Sequence, residues 1–220
     1  MLDIEGSRNP PTERESRRWW RNSGNESVRQ QATHVGIGAP AGRRLELRGA
    51  GWNCGSCGID HHGMFDLAAF APDFWEGSEE YEHNSAIRFD GDFLSEDFCV
   101  VGGEHFFVRC VLEIPVHGLA QKFGFGIWST LSRANFDIYL DGFDDGSYAN
   151  MGPWTGWFSN RLALFEDTLN QGCWVQPRFG RQRPLVTLAD AEHELARAQA
   201  EGITPERVLE LYAAYGHVVS

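Results

Sequence analysis

No apolar run in this chain of 220 residues approaches the ~20 that span a bilayer. Its opening stretch, MLDIEGSRNPPTERESRRWW, holds no apolar segment that would serve as an export signal. The cysteines number five, an odd count that does not suit a closed disulfide framework. Together these absences predict a cytoplasmic protein in a reducing compartment, with no membrane association. No G-x-G-x-x-G, Walker loop or H-E-x-x-H occurs, which removes the common dinucleotide, nucleotide and zinc-protease signatures. Ser159 has no local His/Asp pairing, so a hydrolase triad is unsupported. Basic residues are scarce where most of the chain lies. Residues 1–48 carry nine arginines against six acidic residues, a net of +3, whereas residues 49–220 carry ten basic against 25 acidic residues, a net of −15. Such a body repels phosphate backbones and anionic lipid, which argues against nucleic acid and for a basic protein or cationic ligand as partner.

What is there is a globular composition, 42% hydrophobic and 13% aromatic, enough to bury a sizeable core. Residues 1–48 stand apart. They mix Arg, Ser, Asn, Gln, Gly and Pro without an apolar period of 2.0 or 3.6, and read as a flexible, disordered arm. Trp19 and Trp20 sit in it beside Arg17, Arg18 and Arg21. Residues 49–220 read as a single domain.

The clearest pattern is HFFVRCVLEIPV, where Phe106, Val108, Cys110, Leu112, Ile114 and Val116 alternate with Phe107, Arg109, Val111, Glu113 and Pro115. This predicts a strand with one buried face, in which Cys110 is a small core residue. FGFGIWSTL returns beside it with Phe123, Phe125, Ile127 and Leu131 on one face, and its two glycines predict that a backbone or ligand comes close on the other. FCVV precedes as a short strand, and CWVQP and PLVTL follow as two more. APDFWEGSEEYEH reads as a short helix with Pro72 in its first turn. Ser132 caps a helix carrying Phe136, Tyr139, Leu140 and Phe143 at i, i+3, i+4 and i+7. Gly202 ends a second helix, and Thr204 with Pro205 begins a third. Strands segregated from helices predict an α+β fold, an antiparallel sheet flanked by a few helices with a Cys/His knuckle at its N-terminal edge.

That knuckle is WNCGSCGIDHHG. Cys54 and Cys57 have the C-x-x-C spacing that puts two sulfurs on one ion, Gly58 permits the tight turn, and His61 is near enough to be a third ligand. His62, next door, points elsewhere on extended backbone. With no second C-x-x-C, a fourth ligand must come from afar, and Cys99 is the best candidate ahead of Cys173, with Cys110 disfavoured by its buried face. Three readings stay open: a structural zinc, a metal-free turn in which the thiols merely pack, and a redox dithiol, which normally opens a helix that this glycine-rich stretch does not resemble.

The ordered run CGSCGIDHHG, APDFW, EDFCVVGGEHFFVRCVLEIPV, FGIWSTLSRANF, GWFSNRL, DTLN, RPLVTL and LARAQAEGI resembles the bacterial family catalogued as domain of unknown function 2199, from about Trp52 onward. The resemblance implies that Cys54, Cys57 and His61 occupy that family's C-x-x-C-G-x-x-H positions and that Cys99 is the cysteine of its D-hydrophobic-C-V strand. It departs at Met64 and Phe65, where Leu-Pro is usual, at Gln176 in place of a His before Pro177, and at Glu194 in place of the Pro after His193. It implies no activity.

Two further groups of residues suit a ligand groove. His105, Arg109 and Glu113 lie on or beside one strand, and Trp154, Trp157, Asn160 and Arg161 join flat aromatic area to polar tips. Either set also suits an ordinary strand face or core cap. The reading that results is a non-catalytic binding or interaction module with a structural zinc held by Cys54, Cys57, His61 and Cys99. The rival readings are a zinc-dependent or groove-based enzyme on a small polar substrate and an acidic antidote that neutralises a basic partner.

Overall fold

The computed structural model describes residues 51–55, 58, 60–180 and 182–217. The predicted arm, residues 1–48, lies outside the described residues, and so does Cys57. Among the described residues no helix is long and apolar enough to cross a membrane.

The fold is α+β. A two-stranded hairpin comes first, β1 (Gly51–Asn53) and β2 (Asp60–His62), paired antiparallel with Trp52 opposite His61. The main sheet is built on β6 (His105–Ile114) and β7 (Phe123–Leu131), which pair antiparallel over their length. The edge of β6 away from β7 is shared. Its first half pairs with β5 (Phe98–Val101), itself paired with β4 (Phe93–Leu94), and its second half meets β10 (Leu185–Leu188) at Val111. Beyond β10 lie β9 (Gly172–Gln176) and β8 (Trp154–Trp157). The sheet curls so far that β8 reaches β7 again: Phe158 bridges Ser129, and the Ser159 N–H donates to Trp128 O (2.9 Å). Three helices complete the order, α1 (Arg133–Asp141), α2 (Glu194–Glu201) and α3 (Pro205–Ala214). Their starts follow the predicted chemistry, with Ser132 accepting from the Asn135 N–H, Thr204 from the Arg207 N–H, and Pro205 in the first turn.

The purely antiparallel sheet expected from the sequence is corrected to a mixed one. β10 runs parallel to β6, and β3 (Leu67–Ala68) runs parallel to β7. Parallel pairs require long crossovers, and these pass through more than fifty residues in each case, a distance over which local periodicity carries no information. β3 also explains the two glycines of β7. A Cβ at Gly126 would stand 3.0 Å from the Ala68 Cβ, and one at Gly124 would collide with the Asp66 carboxylate, which instead accepts the Gly124 N–H (2.9 Å).

A second correction concerns the faces of the sheet. The predicted core face of β6 does enter the main cluster, together with Phe136 and Tyr139 of α1, Leu195 of α2, and Val208, Leu211 and Tyr212 of α3. The opposite face is buried as well. Phe107 packs there with Leu94, Cys99 and Trp128 under Ala69, Ala71, Phe74, Trp75 and Tyr81. The covering is residues 69–81, a strap with no helix, where the sequence predicts one around Pro72. Two of its backbone donors are spent outside it, Ala69 N–H on Gly126 O (2.8 Å) and Asp73 N–H on Ser159 O (2.9 Å), and the Trp75 N–H closes a turn on Pro72 O (3.0 Å).

Candidate metal centre

The loop after β1 folds back as a tight turn in which the Gly58 N–H donates to Cys54 O (2.8 Å), with Gly58 at φ +68. That left-handed conformation costs glycine little and other residues more. The Asn53 amide donates to Asp60 Oδ1 (2.9 Å) and ties the two strands of the hairpin. Cys54 is thereby placed beneath the turn, fully buried, and His61 on β2 faces the same side, half-buried, while His62 is exposed. The alternation expected of an extended strand holds for this pair.

The third member comes from the other end of the chain. His217 follows α3 directly, its N–H donating to Tyr212 O (2.8 Å), and its Nδ1 lies 3.9 Å from Cys54 Sγ. The ligating atoms of Cys54, His61 and His217 all lie within 4.8 Å of one another. A zinc tetrahedron with ordinary Zn–S and Zn–N bonds has S–N edges of about 3.5 Å, so the Cys54–His217 pair needs little movement to share an ion. An aromatic stack holds this arrangement. The His61 ring lies on Phe65 (4.4 Å, 16° between planes), and Phe65 lies on Tyr212 (4.2 Å, 3°). His217 meets both His61 and Phe65 edge-on. The Tyr212 hydroxyl donates to Phe65 O (2.6 Å) and accepts from the Phe65 N–H (2.8 Å), so α3, the hairpin and the segment between them are one unit. Burial pushes the Tyr212 phenol well above its ordinary range, which keeps it a neutral donor.

Of the ligands expected from the sequence, the structure brings Cys54 and His61 together. Cys99 lies elsewhere, on β5 in the second cluster with Leu94, Phe107 and Trp128, and the residue that joins Cys54 and His61 in a group able to hold a metal is His217. Burial pushes the Cys99 thiol far up, as it does that of Cys110, and pushes Cys173, which contacts Ser129 Oγ at 3.2 Å, up to about 12. Thiols so held are neutral and poor nucleophiles. His217 stands 163 residues from Cys54 and carries no spacing signal; only the docking of α3 reveals it.

The residues proposed for a ligand groove are dispersed. His105 is half-buried at the start of β6, and burial lowers its pKa. Arg109, 8% exposed, fastens the strap: its guanidinium donates to the Tyr81 hydroxyl (2.9 Å) and to Ala69 O (2.9 Å). Glu113 accepts from Lys122 (2.8 Å). Trp154 is buried in the main cluster, edge-on to Tyr139, and Trp157 is half-buried with its N–H on Thr130 Oγ1 (2.9 Å). Asn160 is a second fastener, accepting the Trp128 N–H (2.8 Å) and donating to Ala71 O (2.8 Å) and Asp73 Oδ1 (3.1 Å). Arg161 is exposed beside Asp73. Ser159 donates its hydroxyl to Trp157 O (2.8 Å).

A family model described as an uncharacterized protein conserved in bacteria, domain of unknown function 2199, matches residues 53–203. It takes in Cys54 and His61 and ends before His217. No curated protein and no solved structure matches the chain.

Proposed function

We propose, for a chain that belongs to this bacterial family of domain of unknown function 2199, that it is a non-catalytic binding module whose two ends are joined by a structural zinc ion. The observation that carries the reading is the convergence of Cys54, His61 and His217, three side chains of zinc-ligand type, from a hairpin and a helix end far apart in sequence. Cys57 supplies the second thiolate in this proposal, on the strength of its C-x-x-C spacing alone. The ion is structural because a four-ligand shell leaves no position for a substrate. The remaining described thiols are buried and neutral, and the best polar side chains, Arg109 and Asn160, are occupied in holding the strap. The acidic body, net −15 over residues 49–220, suits a basic protein as the partner of such a module.

One observation favours a second reading. The described group has three residues, and three protein ligands are the number that a catalytic zinc uses. Metal analysis separates the two. Protein purified without added zinc is expected to hold about one zinc per chain, and its cobalt-substituted form to absorb as a tetrahedral thiolate complex. Loss of metal in Cys54→Ser, His217→Ala and Cys57→Ser, with retention in Cys99→Ser, supports the structural site. Retention in Cys57→Ser transfers the case to the enzyme. A metal-free protein with unchanged stability in all four variants ends both readings.

A further inference from the structure

A groove of about 560 Å³ opens at Val111 of β6, far from the cysteine–histidine corner in sequence. Arg178, Gln182 and Arg183 of the loop between β9 and β10 line it together with Asn84, Val111 and Phe143. Its size falls in the range of small-molecule sites. Its lining sets two guanidinium groups, Arg178 and Arg183, against one carboxylate, Asp97, in a body whose net charge over residues 49–220 is −15.

The two described guanidinium groups are held by their Nε edges. Arg183 Nε donates to Asp97 Oδ1 (2.9 Å), and the Asn84 amide donates to Asp97 Oδ2 (3.0 Å), so this carboxylate is used on both oxygens in orienting Arg183. Arg178 Nε donates to Arg183 O (2.6 Å). Arg183 Nη2 reaches Glu96 O only at 3.5 Å, and Arg178 Nη1 stands 3.9 Å from Glu113. Among the described residues no hydrogen bond or ion pair engages Arg183 Nη1 or Arg178 Nη2. Planar donors whose orientation is already set lose little freedom when they take a carboxylate, which is why arginine serves such sites. Val111 and Phe143 add an apolar wall. On the same loop Phe179 is 67% exposed, an aromatic ring that folding leaves in water.

We propose that this groove binds a small organic acid, its carboxylate on Arg178 and Arg183 and its apolar body against Val111 and Phe143. The site is independent of the metal centre. Calorimetric titration of the full chain with benzoate, benzamide and sulfate tests it. Benzoate is expected to bind, whereas benzamide, with the same shape and no charge, is expected not to. Gln182→Glu sets a negative charge in the groove at an exposed residue with no hydrogen bond among the described residues. It is expected to weaken benzoate roughly ten- to hundredfold with an unchanged melting temperature. Arg178→Gln is expected to weaken it similarly. No benzoate binding at millimolar concentration, equal binding of benzamide, or benzoate affinity untouched by Gln182→Glu would each overturn the proposal. Sulfate binding as tightly as benzoate would reduce the groove to an unselective anion spot and overturn the assignment to organic acids.

Discussion

The strap over residues 69–81 and the hairpin over residues 51–62 are both short of regular structure, and both lie against larger elements, yet they are fastened by different means. The strap carries its fasteners with it. Arg109 and Asn160 hold its carbonyls at Ala69 and Ala71, Tyr81 closes onto Phe70 O (2.7 Å), and Phe74 and Trp75 bury against the second cluster. The hairpin has three residues on each strand, and of its described side chains Cys54 enters the main cluster. Two-stranded ribbons of that length are not stable alone in water. Its attachment is the stack of His61 on Phe65 on Tyr212 and the meeting of Cys54, His61 and His217. The strap is held by hydrogen bonds and apolar burial, whereas the hairpin closes on three side chains that could hold a metal.

The largest expected effect is removal of the proposed ion. If zinc is present at a thousandfold excess over its dissociation constant, a chelator is expected to cost about 4 kcal/mol of apparent stability. Hydrogen exchange would then accelerate at residues 51–55 and 212–217 and stay slow at the Ala69 and Asp73 amides. Equal loosening of the strap would show that the two regions are one cooperative unit and that the contrast is false. Next in size is Arg109→Met, expected to cost about 3 kcal/mol because the Tyr81 hydroxyl and the Ala69 carbonyl lose a charged donor in a buried place. Denaturant unfolding measures it, and metal content should not change. A variant that sheds metal would couple the strap to the corner.

Phe65→Ala sharpens the comparison from the other side. It removes the ring between His61 and Tyr212, so it is expected to cost about 1–2 kcal/mol as two aromatic pairs are lost and to weaken metal binding roughly tenfold. Competition with a colorimetric chelator reads the second quantity; an unchanged affinity would leave the stack a packing feature only. The smallest effect belongs to His105, whose pKa burial depresses below its ordinary 6.5 in the folded protein. The unfolded chain takes up the proton first as pH falls, so the contribution of neutral His105 is complete above pH 6.5 and is lost as pH drops through the lower folded value. In chelated protein, the decline in stability between pH 7.5 and 5.5 should be shallower for His105→Gln than for the parent chain. Parallel declines would assign it to other groups.

What the chain determined by itself is what local chemistry can express. The alternation from Phe106 to Ile114 made a strand, Ser132 and Thr204 with Pro205 began helices where capping predicts, Gly202 ended one, and the glycines of β7 marked the approach of β3. Two of the three described residues of the candidate site were legible on the same terms, because Cys54 and His61 lie seven residues apart on one turn and its returning strand. Tertiary structure alone decided the rest. The parallel pairings of β10 and β3 depend on crossovers of more than fifty residues. The strap departs from a helix where Gly126 and Ser159, distant in sequence, take up the Ala69 and Asp73 N–H groups. Cys99 and Cys54 are equally buried, and only the sheet between their clusters separates the one from the metal corner. His217 stands beside Cys54 and His61 because α3 docks Tyr212 onto Phe65, an event of side-chain packing that no periodicity or spacing encodes.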